Sequence, residues 1–216
     1  MTQPLDTRPT ILLTGFGPFP GIAKNASAEL IEALALVAAK RLPKKRVIAH
    51  VLPTEWQTAP VQLAALYKLH TPVLVLHFGV SNQARGFCIE TQAHNTLGPI
   101  ADAKGGLPLS GIISGTGPAV LPVSIPAQTI VKRLLALSVP AALSHNAGTY
   151  LCNCVLYHSL ERALERELER ARHQAAPLRA GFIHMPTDFT HPQFDFNTAL
   201  KGALEIIRTC LGLPRA

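Results

Sequence analysis

Short apolar runs alternate along the chain with longer amphipathic segments. The runs are rich in Val, Ile, Leu and Phe, and they predict buried strands. These strands cover residues 11–16, 46–53, 72–80, 140–144 and 180–184. Between the strands the periodicity predicts helices. The first begins at a cap, Asn25 or Ser27, and the others cover residues 56–69, 125–137, 152–173 and 198–211. Strands separated by helices predict an α/β fold with a mostly parallel sheet and helices on both faces.

Three segments depart from this alternation. Residues 86–95 alternate apolar and polar side chains, which predicts a rather exposed strand. Residues 98–118 are rich in glycine and proline and form either a loop or an irregular hairpin. The charged, alanine-rich residues 161–176 predict the solvated end of a long helix and not a disordered tail.

Composition limits the kind of protein this can be. The 216 residues, 48% of them apolar and 15% charged, suit one globular domain spanning 1–216. The net charge is +7, yet basic residues are scattered, and their only dense run is Lys40 to Arg46. That run has no interleaved aromatic residues and is typical of a solvated turn, so we expect no nucleic-acid partner.

The cysteines and the N-terminus indicate the compartment. Cys88, Cys152, Cys154 and Cys210 fit neither a disulfide framework nor a zinc pattern. Free thiols are typical of a reducing compartment. The polar residues 1–10 do not resemble a signal peptide, and no apolar run reaches about 18 residues. We therefore expect a cytoplasmic protein that does not enter a membrane.

Cys152 is the candidate nucleophile. It follows a predicted strand and a turn containing Gly148, and it lies where the next helix begins. A helix N-terminus favours a thiolate, and its free N–H groups can bind an oxyanion. The alternative is a buried, inert cysteine, which is common. Cys154 has a similar setting but lies two residues further along, so we interpret it as a core residue.

His184 is the candidate base. It ends the strand at 180–184, and the carboxyl ends of parallel strands meet at one edge of a sheet. There the imidazole could accept the thiol proton and return it to a leaving amine. His145 is the main rival, while His77 lies within a strand and is more typical of a packed residue. His158 lies six residues along the helix from Cys152, away from its face.

A carboxylate and two aromatic rings complete the candidates. Glu90 stands among apolar neighbours and could orient the imidazole; a carboxylate on an exposed edge strand is the alternative. Phe16 and Phe19 occur in a glycine-containing turn and suggest an apolar slot for a small ring, although both could simply cover the core. The turn lacks the spacing and the lysine of a phosphate-binding loop.

Four motifs occur together in this order. They are Thr14-Gly15-Phe16-Gly17-Pro18-Phe19 followed by Asn25-Ala26-Ser27, then Glu90-Thr91-Gln92-Ala93-His94-Asn95, then Ala147-Gly148-Thr149-Tyr150-Leu151-Cys152-Asn153, and Gly181-Phe182-Ile183-His184-Met185-Pro186. In these motifs, and over nearly its whole length, the chain resembles the pyroglutamyl peptidase I family, the pyrrolidone carboxyl peptidases. The cysteine and N-terminal motifs are specific, and the glutamate motif is weaker by itself.

The resemblance implies both a fold and a set of roles. The fold is a three-layer α/β/α sandwich with a mostly parallel central sheet, like that of purine nucleoside phosphorylases. Cys152 would be the nucleophile, His184 the acid/base and Glu90 the orienting carboxylate. The substrate-binding residues would be Phe16, Phe19, Val80, Tyr150 and Leu151. Pyroglutamyl peptides would be the substrates of a homo-oligomer, a tetramer or dimer, that uses no metal and no cofactor.

The chain also departs from the family pattern. Ala26 replaces a proline, Val80 stands where many bacterial members have glutamine, and residues 98–104 lack the arginine of the usual Asp-Ala-Arg-Ile-Pro-Asp stretch. Two alternatives therefore stay open. One is a catalytically silent or altered-specificity binding protein on the same scaffold. The other is a phosphorylase-like enzyme, although Arg85 is the only arginine in the predicted strand-end loops.

Overall fold

A computed structural model describes residues 6–173 and 177–214. The strands are β1 Thr10–Phe16, β2 Arg46–Leu52, β3 Leu74–Val80, β4 Phe87–Glu90, β5 Gln92–His94, β6 Val120–Pro122, β7 Ala141–Ser144 and β8 Arg179–Met185. The helices are α1 Ala26–Arg41, α2 Thr58–His70, α3 Ala127–Leu135, α4 Leu151–His173 and α5 Phe196–Cys210. Parts of two predictions, for residues 1–10 and 161–176, lie outside the described residues.

The main sheet has six strands in the order β2-β1-β3-β8-β4-β7. Its neighbours pair in parallel, except that β4 runs antiparallel to β8. Helices α1, α3 and α5 pack on one face, and α2 and α4 pack on the other. The predicted three-layer α/β/α sandwich with a mostly parallel sheet is confirmed.

Local chemistry explains where the helices begin. The Asn25 side chain accepts a hydrogen bond from the Ser27 N–H and so caps α1, while Asp195 caps α5 through the Thr198 N–H. Before α4 the chain turns at Gly148, whose φ of +80° lies in the left-handed region that favours glycine. None of the described helices has the length and apolar character needed to cross a membrane.

The prediction of a rather exposed strand at 86–95 is wrong. The segment forms two strands, and β4 lies inside the main sheet between β8 and β7. Phe87 and Ile89 pack into the core on one face, while Cys88 and Glu90 face a cavity on the other. The polar positions of the alternating pattern therefore face a functional cavity and not bulk water.

Of the two alternatives for the glycine- and proline-rich residues 98–118, the structure shows the loop, since the segment contains no strand and connects two strands that lie outside it. Strands β5 and β6 pair antiparallel as a separate two-stranded sheet, with residues 95–119 connecting them. The Asn95 carboxamide organises this connection because it accepts hydrogen bonds from the N–H groups of Ile113 (2.8 Å) and Ser114 (2.9 Å) and donates one to the Ser114 carbonyl. The asparagine of the glutamate motif is therefore a structural residue.

Candidate active site

Two neighbouring strands bring His184 and Glu90 together. His184 lies opposite Cys88 across the β4–β8 pairing, and Glu90 follows Cys88 by two residues on the same face. The His184 Nδ1 atom lies 2.7 Å from Glu90 Oε1. Glu90 is only 1% exposed, so the edge-strand alternative is wrong. Its second oxygen, Oε2, is buried and has no hydrogen-bond partner within the described part of the chain.

Helix α4 brings Cys152 to the same place. Cys152 is the second residue of α4, and its thiol lines the same cavity as the His184 imidazole, close enough to act on the charge of that ring. Its sulfur also lies against Gly79 near the end of β3, where an added Cβ would be 3.2 Å from Sγ. The first N–H groups of a helix have no carbonyl four residues earlier within the helix to bind. In α4 the Cys154 N–H binds the Tyr150 carbonyl, and the N–H groups before it are suited to receive an oxyanion.

The electrostatics of the site favour a charged imidazole. Burial opposes the charge on His184, but the charge of Cys152 and the hydrogen bonds to Cys152 and Glu90 outweigh that effect and raise the His184 pKa well above its usual value. An imidazolium can donate to Glu90 through Nδ1 and to sulfur through Nε2. The arrangement can therefore hold a thiolate next to a proton donor.

The rival histidines are differently placed. His77 is buried between the hydroxyls of Thr14 and Ser159, and burial lowers its pKa to about 3. This agrees with the expectation of a packed residue. His145 is exposed and lies beside the Thr91 hydroxyl, 2.7 Å from Nδ1. His158 lines a separate groove between α2 and α4.

The other thiols have apolar or partly covered surroundings. Cys154 is buried, as expected for a core residue, and burial raises its pKa to about 12. Cys88 lines the same cavity as Cys152, and burial together with the charge of Glu90 raises its pKa. Neither environment favours a thiolate.

The predicted residues share one cavity of about 890 Å³. Its walls include the three predicted catalytic residues and the five predicted binding residues, Cys152, His184, Glu90, Phe16, Phe19, Val80, Tyr150 and Leu151. Phe16 is buried with its ring centroid 6.3 Å from that of Phe182, so it both covers the core and lines the cavity. In the described residues no group of three or more His, Cys, Asp or Glu side chains is placed to hold a metal ion.

Sequence reasoning missed several supporting residues. The Phe182 ring lies 4.6 Å from that of His184, between the catalytic candidate and buried His77. Asn153 accepts a hydrogen bond from the His94 N–H and donates to the carbonyls of His94 and Thr96, which ties the end of the glutamate motif to the start of α4. A polar residue directly after the nucleophile, in an otherwise apolar helix turn, was the available signal.

Comparisons with known proteins agree with this geometry. The profile of the pyroglutamyl peptidase family matches residues 9–196. A pyrrolidone-carboxylate peptidase from Cupriavidus taiwanensis is 32% identical over 211 residues, which cover 94% of this chain and 93% of the relative. Pyroglutamyl peptidase I from Bacillus amyloliquefaciens has a similar structure with a TM-score of 0.80 at 27% identity, covering 95% of this chain and 98% of that one. The pyrrolidone carboxyl peptidase from Thermococcus litoralis also gives a TM-score of 0.80 at 27% identity, covering 94% of each chain. This chain therefore belongs to the pyroglutamyl peptidase family.

Proposed function

We propose that this protein is a cysteine exopeptidase that hydrolyses the bond after an N-terminal pyroglutamyl residue of peptides, and that Cys152, His184 and Glu90 carry out the reaction. The observation that supports this most strongly is that thiol, imidazole and carboxylate line one cavity, with His184 Nδ1 2.7 Å from Glu90 Oε1 and the Cys152 charge acting on His184. A nucleophile, a base and a group that orients the base are the parts that acyl transfer requires.

The reaction proceeds in two halves. The Cys152 thiolate attacks the pyroglutamyl carbonyl carbon, and N–H groups at the start of α4 bind the resulting oxyanion. The C–N bond then breaks, the His184 imidazolium gives its proton to the leaving amine, and a thioester remains. Neutral His184 next accepts a proton from water, which attacks the thioester. Pyroglutamate leaves, and the thiolate–imidazolium pair is restored while Glu90 holds the imidazole in place.

Substrate selection follows from the charge of the cavity wall. A pyroglutamyl N-terminus is a neutral lactam, whereas an ordinary N-terminus is an ammonium. Phe16, Phe19, Val80, Tyr150 and Leu151 supply apolar surface for the ring. Among the described cavity-lining residues the only carboxylate is Glu90, which already bonds His184. An ammonium would therefore lose its hydration without gaining a counter-ion, which is unfavourable.

The same wall argues against a phosphorylase-like enzyme. Phosphate binding in such a site needs cationic side chains. The described residues that line the cavity include no Lys or Arg, and Arg85 is exposed with its guanidinium donating to the carbonyls of Asn82 and Ala84. A silent binding protein on this scaffold would have no need of the thiol–imidazole–carboxylate contact.

The test is amine release from a fluorogenic pyroglutamyl conjugate. We expect the wild type to release the amine and Cys152→Ser to release none above background. An alanyl conjugate, which carries an ammonium, serves as the matched substrate control and should not be cleaved. Equal release by both proteins would reject the nucleophile, and no release by the wild type would reject the activity.

The proposal extends to assembly and location. A single domain spanning 1–216 would act in the cytoplasm, since the four cysteines are unpaired. A homo-oligomer, a dimer or tetramer, would cover apolar side chains such as Leu107, Leu109 and Ile112, which the β5–β6 connection exposes. Sedimentation velocity of the wild type and of Leu109→Lys measures the assembly, and a wild-type monomer at all concentrations would reject it.

A further inference from the structure

Segment 98–106, where the family arginine is missing, lies against the residues that flank the cavity. At its start the Gly98 N–H donates to the Thr149 carbonyl at 2.8 Å. Its Ile100 carbonyl accepts from the Trp56 indole at 2.8 Å, and its Ala101 carbonyl accepts from the Tyr150 hydroxyl at 3.3 Å. The segment is thus joined both to the turn before α2 and to the turn that leads into Cys152.

Asp102 holds this segment together. It is 6% exposed, and its Oδ2 accepts from the Trp56 backbone N–H at 3.0 Å. Its Oδ1 accepts from the N–H groups of Lys104 (2.9 Å) and Gly106 (2.8 Å). The Lys104 ammonium pairs instead with Glu55, at 3.0 Å. Asp102 is therefore a buried carboxylate that accepts hydrogen bonds from three backbone N–H groups.

The charge on Asp102 is stable in this setting. Burial opposes ionisation, but the hydrogen bonds from the N–H groups of Trp56, Gly106 and Lys104 outweigh it and lower the Asp102 pKa. A buried carboxylate is unfavourable unless it is hydrogen-bonded, so these three bonds keep the segment in the conformation that supplies them.

Trp56 connects Asp102 to the cavity. The Trp56 ring meets the Tyr150 ring edge-on, with centroids 5.0 Å apart and an interplanar angle of 86°. Tyr150 lines the cavity and lies two residues before Cys152. Asp102 thus binds the backbone of Trp56. The Trp56 ring in turn contacts the Tyr150 ring, and the Ala101 carbonyl binds the Tyr150 hydroxyl.

We propose that Asp102 is a positioning residue that, through Trp56 and segment 98–106, fixes the Tyr150 ring as a wall of the pyroglutamyl-binding cavity. This inference rests on the proposed function. It assigns a role in substrate binding to Asp102, although Asp102 is not among the residues that line the cavity. Without the Asp102 carboxylate, the Tyr150 ring would rotate and the cavity would no longer fit a small ring.

The first experiment compares Asp102→Asn with the wild type by steady-state hydrolysis of the pyroglutamyl conjugate. We expect kcat/KM to fall about tenfold, mostly through KM, because a charged acceptor of backbone hydrogen bonds is lost. The pH profile of kcat should stay unchanged, because Cys152, His184 and Glu90 keep their contacts. A general loosening of the fold would shift that profile.

Asp195→Asn is the matched control. It makes the same chemical change in a carboxylate that also accepts a backbone N–H, at the cap of α5. Asparagine caps helices as well as aspartate does, so wild-type kinetics are expected. An equal loss of kcat/KM in both variants would overturn the inference.

A second readout does not depend on turnover. Trp56 is the single tryptophan of the chain, so its fluorescence reports this contact alone. We expect Asp102→Asn to shift the Trp56 emission to the red, and to weaken binding of pyroglutamate in a fluorescence titration. Tyr150→Phe, which keeps the ring but loses the bond to Ala101, should raise KM less.

The outcomes separate the two proposals. An inactive wild type would reject the proposed peptidase. A wild type that is active, with Asp102→Asn showing the same KM and the same Trp56 emission, would reject the positioning role. If Asp102→Asn does not fold, Trp56→Phe replaces it, since phenylalanine keeps a ring against Tyr150 but loses the indole bond to Ile100. Wild-type KM in that variant would equally overturn the inference.

Discussion

His184 and His77 lie on the same face of adjacent central strands, and the Phe182 ring stands between them, 4.6 Å from the first and 6.1 Å from the second. Both imidazoles are buried. Yet the pKa of His184 is raised, because a thiol and a carboxylate surround it, and that of His77 is lowered to about 3, because burial acts with only hydroxyl partners present. The charge of the partners, and not the depth of burial, therefore decides which histidine can transfer protons.

The largest expected effect comes from removing the charged imidazole. His184→Gln should reduce kcat/KM by about 10³, since general acid–base catalysis contributes on that scale. The measurement is amine release at pH 7.5 under saturating and limiting substrate. His145→Gln is the control, because His145 is exposed and its Nδ1 contacts the Thr91 hydroxyl and not Glu90. Activity loss in the control but not in His184→Gln would reverse the assignment.

Replacement of the other buried histidine, His77, should reduce the stability of the fold and not the catalytic rate. His77→Ala leaves the Thr14 and Ser159 hydroxyls unpaired and opens a cavity, so we expect the free energy of unfolding to fall by about 3 kcal/mol. Urea denaturation measures this change. At a temperature where the variant is folded, kcat should remain within a few-fold of the wild type. A large loss of kcat with unchanged stability would contradict the structural role.

Removing the carboxylate should make His184 behave more like His77. Glu90→Gln takes away a partner that raises the His184 pKa, so the imidazolium should deprotonate at lower pH. We expect kcat to fall roughly 30-fold, on the scale of a hydrogen bond to a charged group. The alkaline limb of the kcat–pH profile should also move to lower pH. An alkaline limb at the wild-type position would show that Glu90 does not act on His184.

The pKa of His77 should also make the stability of the protein depend on pH. Because the folded pKa of His77 lies below its unfolded value of about 6.5, the unfolded state binds the extra proton. The contribution of His77 is thus complete above that unfolded value and is lost as the pH falls toward the folded pKa. Between about pH 6 and pH 4 the wild type should lose about 1.4 kcal/mol per pH unit more than His77→Gln. Parallel curves for the two proteins would refute this.

The sequence was most informative where a local signal and a local structure coincide. Of the two caps expected for α1, Asn25 or Ser27, the structure has Asn25, and outside 86–95 the predicted strands and helices agree with the structure to within a few residues. Cys152 was correctly placed at the start of α4, since a glycine turn after a strand is visible in the sequence. These features depend on neighbours a few residues apart, so their signals are local.

The sequence was weakest where a polar side chain faces another part of the chain. The alternation at 86–95 indicated a face exposed to solvent. In the structure that face lines the cavity, opposite the start of α4. In residues 98–104 the sequence shows a glycine- and proline-rich composition and lacks the family arginine, but it does not indicate the hydrogen bonds of Asp102. The partner that Asp102 holds, the Trp56 N–H, is 46 residues away, so no local pattern connects them.

The sequence by itself determined the order of strands and helices, the nucleophile's place at a helix N-terminus and the family motifs, because these arise from periodicity and short-range hydrogen bonding. Only the tertiary structure decided that Glu90 meets His184, since the two are 94 positions apart and their contact depends on β4 joining β8 antiparallel. It likewise decided which buried histidine is charged. Electrostatic environment is a property of groups that the fold brings together, and distance along the chain does not encode it.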